Sequence, residues 1–499
     1  MKNIAWYARD GHLDFLARLS IRLKENGNNI SNYYVCHTNI ERELLQQNYK
    51  IIPWVLGDYI QTRKKNFRVT ENEIRVLEKK YDFIPLRKLL WGEMFEKKFS
   101  DEKLIYHLVT HIEFWEKYLT VNNIEGIVSE RPSILSTSVL WMVCKRHDIK
   151  FLDFINLGID GRILFSSAWD GSIDGFEEKF NSSAHIDKGS EIYSKSTQYL
   201  EKMNLRPEKP KYIFRNLHTG KETAGNRLYH SMPTVKNIIT LPKKISSIFG
   251  NTSYYTTQSI AERTFSLVVH EARIFLHKFI NVFEKNVSSL GEKYLLFPLH
   301  VNYEWSAYQY LGLNYTNFVS ALEQSASCLP LGYKLYVKEH TSGFPDRSMS
   351  MYKRIKSIKN VRLIDKEENT FQLAKNSEGI ITLGGTLGWE AFLLGKPVVV
   401  LGEPWYKFLP GIHTAYRPEH LVKLLQDIRV LPIANDEDKI KAIYCLYQIS
   451  FEAIRYPVVD LITPENVDKY AQVFEYWLEK GKDWINFINK SDKSLNPQE

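Results

Sequence analysis

Short apolar runs alternate with longer amphipathic stretches over the first two hundred residues. The apolar runs read NIAWYA, NISNYYVCH, KIIPWVLG, EGIVSE and IKFLDFINLG, and stretches with helical spacing such as GHLDFLARLSIRLKENG separate them. Alternating strands and helices are typical of a parallel sheet covered by helices. The pattern therefore predicts an N-terminal Rossmann-like domain over residues 1–190.

The same alternation returns in the second half of the chain. Its apolar runs read KYLLFPLH, GYKLYVKEH, NVRLID, GIITLG and KPVVVLG, and they predict a second Rossmann-like domain over residues 291–435. Between the two domains, residues 191–290 hold long amphipathic stretches, which predict a helical bridging segment. Residues 436–499 are rich in Tyr and Trp and predict C-terminal helices that pack back across the lobes.

Two doubly wound domains of this kind face each other across a cleft into which the carboxyl ends of their strands point. We therefore predict an α/β protein with two parallel-sheet, Rossmann-like domains. This architecture resembles the glycosyltransferase type B (GT-B) fold. Substrates are expected in the cleft, which directs attention to polar residues at strand ends.

The stretch ITLGGTLGWEAFLLGKPVVVLG (residues 381–402) holds the most specific of these strand ends. A glycine-opened turn between a strand and a helix presents backbone N–H groups at the positive end of the helix dipole, where an anion binds. We assign Glu390 to the first turn of the helix, where it caps backbone donors or binds ribose hydroxyls. The alternative is an ordinary strand-to-helix turn. The candidate anion-binding residues are Thr382, Gly384, Gly385 and Thr386.

Two further strand ends of the second domain carry candidate ligands for a nucleotide. Lys338 and His340 close the run YVKEH, and His300 closes FPLH. A histidine donates to phosphate or carboxylate, and a lysine supplies charge. The alternatives are an exposed strand end and a purely structural histidine.

The first domain has three polar strand ends: RDGHLDF, IVSERPS and INLGIDGR. The last of them is predicted to place Asp160 and Arg162 in a loop after the strand. Two carboxylates from neighbouring strand ends suit sugar transfer, one for proton transfer or nucleophilic attack and one to stabilise charge. Buried salt bridges and a helix cap are the alternatives. The catalytic candidates are Glu130, Asp160 and His12, and the acceptor-side candidates are Asp10, Arg131 and Arg162.

The succession of FPLH, a strand ending in KEH, and ITLGGTLGWEAFLLGKPVVVLG resembles the capsule polysaccharide biosynthesis family, which includes bacterial Kdo transferases that use CMP-activated sugars. The resemblance implies that the second lobe binds the CMP donor, with His340 and the Thr386 loop on phosphate or carboxylate and Glu390 on ribose. It also implies that Glu130 or Asp160 performs the transfer. Thr341 follows His340, where the related transferases commonly have proline.

The sequence therefore predicts a glycosyltransferase that moves Kdo or a nonulosonic acid, such as pseudaminic or legionaminic acid, from CMP to a capsule or lipopolysaccharide acceptor. Such a donor carries one phosphodiester and one carboxylate, so helix dipoles and cationic side chains neutralise it without a metal or cofactor. Retention and inversion of configuration both remain open. The alternatives are a polyol-phosphate transferase, a UDP-sugar epimerase and a non-catalytic capsule assembly or export partner.

Charge and cysteine content bear mainly on location. The net charge is +8, and residues 206–285 hold thirteen Lys or Arg against five acids. Basic and aromatic residues together favour an anionic membrane surface, with a plain solvated face as the alternative; no nucleic-acid-binding motif accompanies them. The four cysteines lack metal-ligand spacing, and no signal-peptide or membrane-spanning run is evident. We expect a cytoplasmic protein associated peripherally with the inner face of the membrane.

Overall fold

The fold is taken from a computed structural model. It describes residues 2–7, 12–63, 68–91, 100–132, 134–156, 161–167, 172–183, 186–205, 282–287, 290–300, 317–340, 347–453 and 463–480, with Arg9, Ile159, Tyr315 and short pieces between 213 and 276.

The described strands form two large sheets and one short ribbon. In chain order they are β1 (Lys2–Tyr7), β2 (Ile30–Cys36), β3 (Trp54–Val55), β4 (Gly126–Val128), β5 (Lys150–Asn156), β6 (Arg162–Ser166), β7 (Ile213–Arg215), β8 (Glu222–Ala224), β9 (Lys293–Pro298), β10 (Tyr333–Lys338), β11 (Val361–Ile364), β12 (Gly379–Thr382), β13 (Val398–Val400), β14 (Ile412–Thr414) and β15 (Phe451–Glu452).

Helices separate most of these strands. In chain order they are α1 (Leu13–Glu25), α2 (Asn39–Tyr49), α3 (Leu56–Arg63), α4 (Glu71–Lys80), α5 (Leu86–Trp91), α6 (Asp101–Val121), α7 (Leu135–Arg146), α8 (Phe176–Ser182), α9 (Glu191–Leu205), α10 (Phe318–Ser327), α11 (Met349–Ser357), α12 (Thr370–Asn376), α13 (Thr386–Leu393), α14 (Pro418–Gln426), α15 (Asp436–Gln448) and α16 (Pro464–Lys480).

The first sheet has the strand order β15-β6-β5-β4-β1-β2-β3. Its five strands β5, β4, β1, β2 and β3 are parallel. Strands β2 and β3 lie on one side of β1 and strands β4 and β5 on the other, which is the doubly wound arrangement. The edge differs from the prediction, because β6 runs antiparallel to β5 and β15 runs antiparallel to β6. Arg162 therefore begins a strand, and its assignment to a loop was wrong. The fully buried run Ile163–Phe165 explains why this segment pairs with the sheet.

The second sheet has the order β11-β10-β9-β12-β13-β14, and its strands are all parallel. The residues of β12 and β13 are buried throughout, as expected for strands covered by helices on both faces. The prediction of two Rossmann-like sheets is thereby confirmed. Because all six strands point the same way, His300, His340 and the Thr382 turn follow the same edge of the sheet.

The bridging segment lies largely outside the described residues. Its helix α9 is described, and the antiparallel pair β7–β8 adds a short ribbon that the helical prediction did not contain. Helix α8 contacts the second domain, with the ring centroids of Phe176 and Phe408 5.1 Å apart. The predicted domain boundaries stay predictions.

Helix α16 packs on the first domain. The ring of Tyr470 lies 4.6 Å from that of Phe15, and the ring of Phe474 lies 5.5 Å from that of Trp6. At the rim of this contact, Arg22 forms an ion pair with Asp468. The C-terminal helix thus covers an apolar face of the first domain. None of the described helices has the length and apolar character needed to cross a membrane.

Candidate functional site

The glycine turn after β12 is shaped by Thr382 and by Gly384. The Thr382 hydroxyl oxygen is buried and accepts the N–H groups of Gly384 and Gly385, each at 3.2 Å. Gly384 has φ of +133°, a conformation that side chains rarely adopt. Thr382 therefore holds the turn itself. The helical N–H groups of α13 begin with Thr386, an exposed residue at the first position of the helix.

His300 lies directly against this turn. A β-carbon on Gly385 would lie only 2.8 Å from the Cε1 atom of the His300 ring, so the imidazole occupies the space that the glycine leaves open. Its Nε2 atom is buried and makes no hydrogen bond within the described part of the chain. Burial, together with the nearby His340 and Arg347, lowers the pKa of His300 to about 3. The ring is therefore neutral at physiological pH.

Tyr406 holds the same turn. Its hydroxyl donates to the carbonyl oxygen of Gly385 at 2.6 Å, and a β-carbon on Gly388 would collide with that hydroxyl. Burial, and then the Glu390 carboxylate, raise the pKa of Tyr406, so the phenol stays protonated and donates. The glycine pattern therefore serves three purposes: a positive φ, a histidine contact and a tyrosine contact.

Glu390 lies one turn further along α13 than the sequence predicted. Because the helix begins at Thr386, Glu390 is in the second turn, and the first turn contains no acidic residue. The N-cap residue is Gly385, which has no side chain with which to cap the helix. Glu390 is half-buried and close enough to Tyr406 to affect its pKa. The predicted place of Glu390 in the first turn was therefore wrong, and its roles as helix cap or on ribose stay predictions.

The two cationic candidates at the end of β10, Lys338 and His340, have different environments. Lys338 is buried, and its ammonium group donates to the carbonyl oxygens of Glu339 and Lys366, both at 2.9 Å. His340 is exposed, and its backbone N–H donates to the Glu339 carboxylate at 2.6 Å. The structure thus presents His340 at the surface and uses Lys338 to brace two loops.

In the first domain, Glu130 is largely buried and lies against Arg9 and His12. Its carboxylate forms an ion pair with Arg9, and its Oε2 atom lies 3.4 Å from Nε2 of His12. Burial, and then the Asp153 carboxylate, raise the pKa of Glu130 well above its usual range. A carboxyl group with a raised pKa is suited to proton transfer near neutral pH. The structure therefore brings together Glu130 and His12, two of the three catalytic candidates.

A second group of polar residues supports this site. The hydroxyl of Tyr7 lies 3.0 Å from Nδ1 of His37 and donates to Ser136 Oγ at 3.2 Å. Burial lowers the pKa of His37, and the positive Arg9 adds to that effect. Sequence reasoning missed Arg9 and His37, although His37 directly follows β2 and Arg9 comes two residues after β1. The rule that identified Glu130, that polar residues at the carboxyl ends of parallel strands face the ligand cleft, applies equally to them. We call it the strand-end rule.

The remaining predicted residues are placed as follows. Arg131 is half-buried beside Glu130. The Arg162 guanidinium donates to the carbonyl oxygens of Tyr447 and Ser450 and to the Ser450 hydroxyl, so it ties β6 to the C-terminal segment. Asp10 and Asp160 lie outside the described residues. The acceptor-side roles of these residues and the catalytic role of Asp160 stay predictions.

The model of a known protein family matches part of this chain. Residues 204–420 match the family model described as capsule polysaccharide biosynthesis protein. The resemblance to that family is confirmed. The matched segment includes the Gly384–Gly385 turn, His300 and His340. No curated protein matches the chain.

Solved structures resemble the chain only distantly. A KpsC β-Kdo 2,4-transferase from Thermosulfurimonas dismutans has a TM-score of 0.38 at 12% identity, over 70% of this chain and 87% of that one. A KpsC β-Kdo 2,7-transferase from the same organism has a TM-score of 0.36 at 10% identity, over 91% and 94%. A UDP-GlcNAc 2-epimerase from Neisseria meningitidis has a TM-score of 0.31 at 12% identity, over 96% and 100%.

Proposed function

We propose that the protein is a metal-independent glycosyltransferase that transfers Kdo or a nonulosonic acid from a CMP-activated donor to a bacterial capsule or lipopolysaccharide acceptor. The observation that carries the donor assignment is the packing of the His300 imidazole against Gly385, at the start of α13, where no side chain caps the helix. The family match of residues 204–420 supports the setting in capsule biosynthesis.

The donor site combines a helix N-terminus with two histidines. The exposed Thr386 and the first N–H groups of α13 suit the phosphodiester, because the helix dipole favours an anion there. The buried Nε2 atom of His300, which has no hydrogen-bond partner among the described residues, is suited to a hydrogen bond with the donor, since an unpaired buried polar atom is costly. His300 is neutral, so it contributes a hydrogen bond and His340 is the residue that can add charge.

The first domain supplies the group that moves a proton. In the inverting form, Glu130 takes the proton from the acceptor hydroxyl while that oxygen bonds to the anomeric carbon and CMP leaves. In the retaining form, a carboxylate bonds to the anomeric carbon as CMP leaves, and the acceptor hydroxyl later displaces that carboxylate while its proton passes to a neighbouring base. His12, within 3.4 Å of Glu130, orients the carboxylate in either form.

Thermal unfolding in the presence of nucleotides tests the donor assignment. A ligand that binds the native state raises the unfolding temperature by mass action. We expect stabilisation by CMP and CTP and none by UMP, UDP or GDP. The Gly385→Ala variant, which displaces His300, should lose the CMP effect. Gly189→Ala is the matched control, because its new β-carbon would meet only the Asp187 side chain, at 3.4 Å.

Turnover separates the remaining alternatives. The protein is incubated with CMP-Kdo, UDP-GlcNAc and CDP-glycerol, and nucleotide release is followed. Release of CMP from CMP-Kdo supports the proposal. Turnover of UDP-GlcNAc or of CDP-glycerol would replace it with an epimerase or a polyol-phosphate transferase, and failure of every nucleotide to bind or react would leave a non-catalytic partner.

A further inference from the structure

The ends of β9 and β10 are joined by one buried ion pair. Arg347 and Glu339 are both fully buried, and the guanidinium contacts the Glu339 carboxylate directly. A buried ion pair is costly to form, so its retention at this place calls for a reason. Both partners lie next to the candidate donor residues and outside the set predicted from the sequence.

The ion pair holds the backbone of both histidines. Arg347 donates through its second terminal nitrogen to the carbonyl oxygen of His300. The same Glu339 oxygen that binds Arg347 accepts the backbone N–H of His340 at 2.6 Å. A single guanidinium–carboxylate unit therefore connects the residue after β9 with the residue after β10.

A third group fixes the carboxylate. The second oxygen of Glu339 accepts the hydroxyl of Tyr352, on α11, at 2.6 Å. The planar guanidinium forms two hydrogen bonds in fixed directions, which an ammonium group cannot do. Replacing arginine by lysine keeps the charge and removes this geometry.

We propose that Arg347 is a positioning residue that sets the separation of His300 and His340 for the donor. This inference rests on the proposed function, since it concerns the same nucleotide site. Because the Arg347 side chain is fully buried, the role assigned to it does not include contact with the ligand. Its removal should therefore weaken donor binding by misplacing the two histidines, beyond any loss of stability.

Arg347→Lys and Arg362→Lys form a matched pair of variants. Arg362 also belongs to an Arg–Glu cluster of the second domain, with Glu292 and Glu284, but at the opposite, amino edge of the same sheet. Both variants should lower the unfolding temperature. Only Arg347→Lys should weaken CMP binding in calorimetry, by tenfold or more, and raise the KM of the donor more than it lowers kcat. Arg347→Gln, which also loses the charge, should bind CMP more weakly still.

A second readout does not depend on the nucleotide. The ring signals of His300 and His340, assigned through His300→Gln and His340→Gln, are compared in ¹³C-labelled protein without ligand. We expect both to shift in Arg347→Lys and to stay unchanged in Arg362→Lys. If wild-type protein fails to bind CMP, the proposed function fails while the ring signals still test the positioning role.

The inference is overturned if folded Arg347→Lys binds CMP within twofold of wild type, or if its histidine signals coincide with those of wild type. Should Arg347→Lys not fold, Tyr352→Phe replaces it, since it removes one hydrogen bond from Glu339 and keeps the ion pair. That variant should shift the same signals in the same direction by less, and unchanged signals would count against the proposal.

Discussion

The hydroxyl group of Tyr406 donates a hydrogen bond to the carbonyl oxygen of Gly385 across 2.6 Å. The phenol reaches this carbonyl because Gly388 has no β-carbon in its way. Gly385 is also the N-cap of α13 and the residue on which His300 rests. The backbone of Gly385 thus contacts both a histidine and a tyrosine, and these two contacts fix the start of the candidate anion-binding helix.

Gly388→Ala is expected to destabilise the protein by about 1–3 kcal/mol, because the new methyl group collides with the fully buried Tyr406. Denaturant unfolding measures the free energy. The double variant Gly388→Ala/Tyr406→Phe should recover part of the loss, since it removes the oxygen that collides. Equal stability of Gly388→Ala and wild type would contradict this packing.

Glu130→Gln should reduce transfer activity by about 10²-fold or more, because general acid–base catalysis contributes that much and glutamine does not take up the proton. In wild type, burial raises the pKa of Glu130, so kcat/KM should fall as the pH drops through that raised pKa, well above the usual range of a glutamate. The pH profile of Glu130→Gln should lack this fall of kcat/KM at low pH, the acidic limb of the profile.

Glu116→Gln is the control for that experiment. Glu116 also forms an ion pair in the first domain, with Lys80 on α4, but it lies on α6 away from the strand ends. Its loss should leave the pH profile unchanged. An acidic limb that persists in Glu130→Gln would assign the limb to another group.

His300→Gln should reduce the acid sensitivity of the fold. Burial lowers the pKa of His300 to about 3, so the unfolded chain binds the proton more strongly than the native state between about pH 6.5 and 3. Stability therefore rises with pH across this window, and at pH 5 the histidine costs up to about 2 kcal/mol relative to neutral pH.

Unfolding free energies at pH 7.5 and 5 measure this effect. The difference between the two values should be smaller in His300→Gln than in wild type. His147→Gln, which replaces an exposed histidine of the first domain, provides the control and should behave as wild type. An equal difference in His300→Gln and wild type would show that the ring takes up a proton as readily as in water.

Arg162 and Arg22 both join the first domain to the C-terminal segment, yet they should differ in effect. Arg162 is buried and donates to two carbonyl oxygens and one hydroxyl, so Arg162→Met should cost about 3 kcal/mol or more by leaving buried acceptors unpaired. Arg22→Met breaks an ion pair whose arginine is 41% exposed and should cost much less, because water screens an exposed pair.

Hydrogen exchange of α15 and α16 checks this pair of variants. Arg162→Met should increase exchange near Ser450 more than Arg22→Met increases it near Asp468. Equal effects in the two variants would mean that burial of the arginine does not determine the strength of the attachment.

Local sequence pattern was sufficient for most of the elements. Apolar strands followed by amphipathic helices predicted both Rossmann-like sheets, and the strand-end rule identified His300, His340 and Glu130. The edge of the first sheet was not predictable in this way, because β15 comes from residues almost three hundred positions after β6. Arg162 appeared to be a loop residue for the same reason, since its partners lie in that distant segment.

The roles of charged residues were harder to predict than their positions. Lys338 and His340 are two residues apart at a strand end. Lys338 is buried and donates to two backbone carbonyl oxygens, whereas His340 is exposed. Nothing in the local pattern marks Arg347 or Tyr406, because their importance depends on which carbonyl oxygens they reach.

The sequence by itself determined the alternation of strands and helices, the direction of the strands other than β6 and β15, and therefore the edge at which the polar residues gather, since these follow from local periodicity and from the parallel connection of successive units. Only the tertiary structure decided which glycine faces His300 and which faces Tyr406, which cations are buried, and how far the pKa of Glu130 departs from its usual range. Those properties depend on distances between residues that are remote in the chain and on the exclusion of water around them, and neither is written in any local pattern.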